Sequence, residues 1–289
     1  MEIIRPNEAH IQLNSSPEDI VNLIDSYYSN INSLFQTYAA KYEAVRKEAE
    51  SKEMSRGYGL GMTGAIHRGC YSPSPLCDIV VGNGNRGKVA KRRGKGSCFQ
   101  FGFDEFGYPV SAEHLYNGNS VSWEGIYQES DRALGLLYTV DGKTELDGIS
   151  LEFYDDQNRL EEYCFSRPNA NRSLTIEHYW YNGNKPNGSL LLMVSSFKDS
   201  LTSGGSLCDS IANNIADSWQ TLVRGVKCFD FHINGSALAG YQTQLFSIIK
   251  KETLPSNQWK CKIRPPQYFD LKKPTTISFY RRKRENTAN

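Results

Sequence analysis

Among the residues able to do chemistry, His67, Cys70, Cys77 and Cys98 come closest to a metal set. Four soft or borderline ligands in a segment with little other structure could hold zinc, and the metal would then substitute for a core. Their spacing is irregular and contains no C-x-x-C pair, so four unrelated side chains are the plainer reading, and no metal or other cofactor is expected. Nucleophilic catalysis finds no footing. There is no G-x-S-x-G elbow, and no cysteine sits where a lowered pKa is expected. His114, His178 and His232 fall on expected strands, where histidine more often serves structure than proton transfer. Asp104-Glu105, Asp155-Asp156 and Glu161-Glu162 are adjacent in sequence. Neighbours on a strand point to opposite faces, so these pairs do not make the facing carboxylates of a hydrolase. In turns they act as turn formers. No catalytic residue is assigned, and an enzyme would need a site assembled from distant segments.

Phosphate binding has two candidate motifs. Gly82-Asn-Gly-Asn-Arg-Gly87 fits the letters G-x-G-x-x-G after a short apolar strand expected at 77–81. A dinucleotide cradle also needs a helix next, and Val89 to Lys95 carries no amphipathic stripe. The second motif is charge. Arg86, Lys88, Lys91, Arg92, Arg93 and Lys95 fall together, and no acid occurs between Asp78 and Asp104. Such a cluster can contact phosphates, with arginine favoured for its planar fork. It can equally lie against an acidic surface of the same chain. From Ser97 to Asn182 there are fifteen Asp plus Glu against five Lys plus Arg, a net of −10 inside a chain of net +1. The near-neutral total hides two oppositely charged regions. A second basic run, Arg281 to Arg284, reads as a disordered, solvated end.

The elements that position these groups are mostly strands. From Cys98 to Phe197, Phe99-Phe103, Val110-Tyr116, Val121-Tyr127, Leu134-Val140, Ile149-Phe153, Leu160-Phe165, Leu174-Trp180 and Leu190-Val194 alternate or run apolar between turn dipeptides. Asn117-Gly118-Asn119 and Asn182-Gly183 end two of them, and Asp141-Gly142 is the dipeptide best suited to a tight type I′ hairpin. Before them, Ile20, Ile24, Tyr27, Ile31, Leu34, Tyr38, Tyr42 and Val45 recur at helical steps, predicting one long amphipathic helix over 17–53 that opens on Pro17. Its stripe fits either this chain's own sheet or a coiled-coil seam for self-association. The glycine-rich stretch 57–70 reads as a loop. Beyond the meander, helices are expected over 206–225 and from Leu238 to Ile248. Strands are expected at Phe229-Ile233, Trp259-Ile263 and Ile277-Phe279.

Together these predict an α+β fold dominated by an antiparallel β-meander. Four segments follow: a helical 1–56, a Gly-rich basic connection 57–96, the meander 97–200, and an α+β segment 201–289 that completes the same domain. The 289 residues suffice to bury a substantial core. The N-terminus has no apolar stretch after a basic start, no apolar run spans a bilayer, and seven cysteines stand singly. A cytoplasmic protein without a membrane partner is the expectation.

A weak repeat lies inside the meander. Phe101-Gly-Phe-Asp-Glu-Phe-Gly-Tyr-Pro-Val110 and Leu151-Glu-Phe-Tyr-Asp-Asp-Gln-Asn-Arg-Leu160 share an aromatic strand, an acidic turn closing on Gly or Asn, and a return strand. The scheme resembles the YD-type hairpin repeats of Rhs-like proteins and the small β-meander proteins, some of them immunity proteins, of bacterial polymorphic toxin systems. The resemblance implies no catalytic residues. It points to a non-enzymatic interaction protein whose acidic, aromatic sheet surface occupies a basic partner, as a neutralising protein plugs a positive cleft. Strand residues expected to point away from a one-sided core carry that surface: Glu113, Glu124, Glu152, Tyr154, Glu161, Tyr163, Glu177 and Tyr179. A register slip would exchange the two faces. The alternative is nucleic-acid binding through 86–95 and 281–284, though no RRM, KH or helix-turn-helix signature accompanies those runs.

Overall fold

The computed structural model describes residues 17–60, 64–67, 69–75, 86–95, 97–168, 173–196, 221–234, 237–251, 260–263, 265–275 and 277–284. The eight strands expected after Cys98 are all present: β3 (Ser97–Phe103), β4 (Pro109–Tyr116), β5 (Asn119–Gln128), β6 (Arg132–Thr139), β7 (Glu145–Tyr154), β8 (Leu160–Arg167), β9 (Ser173–Asn182) and β10 (Lys185–Ser196). Around them the described residues form α1 (Pro17–Tyr38), α2 (Tyr42–Lys52), β1 (Ser55–Leu60), β2 (Lys88–Ala90), β11 (Thr221–Asn234), β12 (Ala237–Lys251), β13 (Lys260–Ile263) and β14 (Gln267–Thr275). No described helix is long and apolar enough to cross a membrane. The strand expected at 77–81 and residues 206–220 of the helix expected over 206–225 lie outside the described residues.

The chain divides into two compact units. The first holds residues 32–165 and the segment from Ser278. Its antiparallel strands follow the order β2-β1-β3-β4-β5-β6-β7-β8. From β3 onward this is the meander that the turn chemistry predicts. Asn117 and Gly118, with φ of 50° and 86°, supply the two left-handed positions of a type I′ turn. Asp141-Gly142 does not: of the pair only Gly142 has positive φ, and residues 140–144 form a wider connection.

The two acidic turns at Asp104 and Asp155 share one geometry. The Asp104 carboxylate accepts the N–H of Phe106 and of Tyr108 at 3.0 and 2.8 Å, and the Asp155 carboxylate accepts those of Gln157 and Arg159 at 3.0 and 2.8 Å. In each loop the aspartate's own N–H donates to the carbonyl four residues on, and the residue three on, Gly107 or Asn158, is left-handed. One short carboxylate thus closes both hairpins.

Both faces of this unit's sheet are covered. Phe101, Ala112, Glu124 and Leu137 are successive cross-strand partners and share one face. Tyr71 sets its ring edge-on to Phe101 and Phe103 at 5.1 and 5.3 Å, and His67 stacks on Phe165 at 3.9 Å. Glu113, Trp123 and Tyr138 share the other face. There Tyr42 meets Trp123 and Tyr138 edge-on at 5.8 and 5.2 Å, and Val45 packs over Gly125. The helix predicted as continuous is interrupted at residues 39–41, where the Tyr138 hydroxyl donates to the Tyr38 carbonyl at 2.9 Å. No Gly or Pro announces this break. It turns Tyr42 and Val45 onto the sheet. Gly57 and Gly59, expected in a loop, belong to β1, where they lie across from Phe101 and Phe99.

The second unit holds residues described within 4–31 and 166–277. Leu23, Ile24, Tyr27 and Ile31 of α1 are buried, as their spacing requires. The strand order is β9-β10-β11-β12, and both β13 and β14 pair with β12. The helix expected from Leu238 to Ile248 is strand β12, and 221–225 of the other expected helix open β11. Their pairing runs from Thr221↔Lys251 to Asn234↔Ala237, a ladder that overrides the three-and-four spacing of the leucines and isoleucines. The last strand expected, Ile277-Phe279, is absent, and β14 precedes it.

A Cβ at Gly135 would collide with Ile66 and with the Ser150 hydroxyl. Gly135→Ala is expected to destabilise the protein by about 1–3 kcal/mol, measured by urea denaturation, because the cover has no room to retreat.

Candidate functional site

The residues expected to form an outward surface are mostly inside. Glu124, Glu152, Tyr154, Tyr163, Glu177 and Tyr179 are buried, and Glu113 and Glu161 are half-buried. The one-sided core behind that expectation does not exist in the first unit, since a helix covers one face and residues 64–75 the other.

Inside, these groups act as fasteners. The Glu124 carboxylate accepts the N–H of Ala65 at 2.7 Å and of Ile66 at 3.1 Å, while the Tyr163 hydroxyl donates to the Ile66 carbonyl at 2.7 Å. Burial pushes the Glu124 carboxyl up to about 7 against the pull of those two N–H donors. A Glu-x-Tyr spacing recurs: the Tyr154 hydroxyl donates to Glu152, and in the second unit the Tyr179 hydroxyl donates to Glu177. Burial raises the Glu152 carboxyl, opposed by the tyrosine's hydrogen bond and the charge of Arg281. The same surroundings push Tyr154 well above the usual phenol range. These side chains, expected to face outward, lie inside. The i, i+2 pairing of an acid with a hydroxyl was the legible signal.

The basic tail is not a solvated end. Phe279 accepts the N–H of Leu160 at 2.7 Å, and Tyr280 bridges to Arg159. Arg281 donates to the carbonyls of Glu129 and Arg132 at 2.8 and 3.2 Å, with its guanidinium 4.3 Å from the Tyr154 ring centroid. The Arg284 N–H donates to the Gly107 carbonyl at 2.7 Å, and its side chain reaches Ser55 at 3.1 Å. Residues 279–284 therefore strap the β7/β8, β5/β6 and β3/β4 loops in turn, at one end of the meander. Three large side chains stand out at that end: Met54, Phe106 and Tyr280, at 72%, 69% and 51% exposure. Glu105, Glu129, Asp131 and Asp156 are exposed among them.

The remaining candidates separate. Arg86 is internal: it donates to the carbonyls of Gly69, Ser72 and Ser74. Lys91, Arg92, Arg93 and Lys95 are exposed, and the side chain of Lys88 lies outside the described residues. In the alternative zinc set, the Cys70 thiol, pushed up to about 11 by burial, donates to the Arg86 carbonyl at 3.0 Å. His67 is stacked on Phe165, and Cys77 lies outside the described residues, as do residues 82–85 of the G-x-G-x-x-G letters. Among the described residues no three His, Cys, Asp or Glu side chains converge to hold a metal. His114 stacks on Phe99 at 4.6 Å and His178 lies edge-on to Trp180 at 5.2 Å. No protein-family model matches the chain, and neither does any curated protein.

Two measurements test these fasteners. Glu124 titrates in the fold at about 7, above the unfolded value of about 4.3. Its stabilising contribution is therefore complete below that unfolded value and lost as pH rises through 7. Glu124→Gln, which keeps an acceptor without the charge, is expected to flatten the decline in unfolding free energy between about pH 5 and 8, by an amount on the order of 3 kcal/mol. Arg281→Ala should cost about 2–3 kcal/mol, because two carbonyls and a buried carboxyl lose their cation. Lys283→Ala, exposed beside it, should stay within about 0.5 kcal/mol. Urea titrations of the two variants compare them directly.

Proposed function

We propose that the protein is a non-enzymatic interaction protein that engages a basic protein partner through the strapped, hairpin-tip end of its first unit. The observation that supports this is the grouping of Met54, Phe106 and Tyr280 with Glu105, Glu129, Asp131 and Asp156. Large apolar side chains held out from rigid loops act as anchors in interfaces. Glu129 and Asp131 share Arg132 as an ion-pair partner, and Glu105 and Asp156 are the carboxylates that accelerate encounter with a positive surface and repel wrong partners. This reading moves the acidic, aromatic surface expected of the sheet to its rim. A partner with a positive cleft, such as a nuclease toxin neutralised by an immunity-type protein, has the matching chemistry.

Catalysis is not part of this reading. Glu124, Glu152 and Glu177 are committed to backbone N–H groups or tyrosine hydroxyls inside the fold.

The test is co-purification and kinetics with the products of neighbouring genes, using the full chain as bait. Phe106→Ala with Tyr280→Ala is expected to speed dissociation and to weaken binding by about tenfold or more for each hot spot removed. Glu105→Lys with Asp156→Lys should instead slow association and reduce its salt sensitivity. A genuine partner indifferent to all four substitutions would move the interface elsewhere.

A further inference from the structure

Residues 91–95 occupy an unusual position in the first unit. Lys88 pairs with Leu60 and Ala90 with Tyr58, while Ser97 pairs with Leu60 and Phe103 with Ser55. β2 and β3 therefore run parallel on the two sides of β1, and the chain must return along β1 before β3 can start. A parallel connection usually carries a helix that packs it down. This one is too short for that, and Lys91, Arg92, Arg93, Gly94 and Lys95 all stand exposed.

None of these four cations has an ion pair or hydrogen bond among the described residues. Two other exposed cations of the unit do: Lys52 pairs with Glu48 and Lys143 with Glu145, both within 3 Å. The difference is local supply, because residues 79–103 contain no acid. The net charge of −10 over residues 97–182 would repel a polyanion if it were all on the surface. Glu124, Glu152 and Glu162 are buried, Arg281 lies against the Glu152–Tyr154 pair, and Asp155 is paired with Arg159 at 2.6 Å. Part of the negative charge that would repel a polyanion is therefore inside or neutralised.

We propose that residues 91–95 are a contact surface for the phosphate backbone of a nucleic acid, separate from the hairpin-tip surface. Four free cations on one short arch match a regular line of phosphates, and Arg92 and Arg93 can each take a phosphate bidentately. An acidic protein fits less well, since a protein interface needs a buried aromatic or aliphatic anchor and this arch offers none. A membrane surface fits less well too, since the arch has no apolar residue to insert and belongs to no amphipathic helix. With no base-reading element beside it, the contact is sequence-independent.

The experiment is fluorescence anisotropy of the full chain with a labelled 20-nucleotide single strand and its duplex, at 50 and 200 mM salt. Four phosphate contacts predict affinity falling over that range by about 50-fold for the single strand and about 150-fold for the duplex. Arg92→Gln with Arg93→Gln should lower the single-strand salt slope by about 1.4, and Arg92→Glu with Arg93→Glu should abolish binding at 200 mM salt. Lys47→Glu, an exposed charge on α2, should change neither. Unchanged thermal melts would show that the variants fold. The proposal is overturned by absent binding at 50 mM salt, by binding that survives the double reversal, or by an equal loss with Lys47→Glu. Tighter binding to polyglutamate or to anionic lipid vesicles than to the oligonucleotides would overturn it as well.

Discussion

A carboxylate placed on the inner face of a sheet must find donors, and Glu124 finds them in the backbone of two consecutive residues, Ala65 and Ile66. An unpaired buried carboxylate would cost far more than such an arrangement gains. With Tyr163 holding the Ile66 carbonyl from β8, the same dipeptide is pinned from two strands. That pin gives an irregular stretch a fixed path across the sheet. His67 then stacks on Phe165 and Tyr71 meets Phe101 edge-on, and Arg86 closes the far side of the loop through three carbonyls. A glycine-rich segment thus does the work of a helix, with polar bonds to its backbone substituting for an apolar stripe.

Charge is arranged by the same logic. The meander's excess of acid is partly stored inside, where tyrosine hydroxyls two residues away act as built-in donors. Part of it is answered by the C-terminal strap, whose Arg281 lies over Tyr154. Net charge by segment therefore says little about surface potential in this chain. With both faces of the first unit's sheet covered, its large exposed side chains stand at the rims. The strap organises one rim by tying three hairpin loops to a single short segment, so Phe106 and Tyr280 project from a bonded framework.

What the amino-acid order determined by itself was local. Alternation and turn chemistry placed every strand from β3 to β10. The Asp-x-x-Gly and Asp-x-x-Asn loops could be recognised as one device before any coordinate, because a carboxylate's reach to N–H groups two and four residues on needs no distant partner. Tertiary structure decided everything that depended on what lies across a face. Glu152 and Tyr154 alternate correctly with their neighbours, but a period of two cannot say which side meets solvent when both sides are packed. The break at 39–41 and the strand state of 237–251 have the same origin: a hydroxyl from β6 and a ladder from β11, both remote in sequence, outweigh the local preference of those residues. The basic tail follows the same rule, for its arginines become structural only where folded loops present carbonyls and a buried carboxyl to receive them.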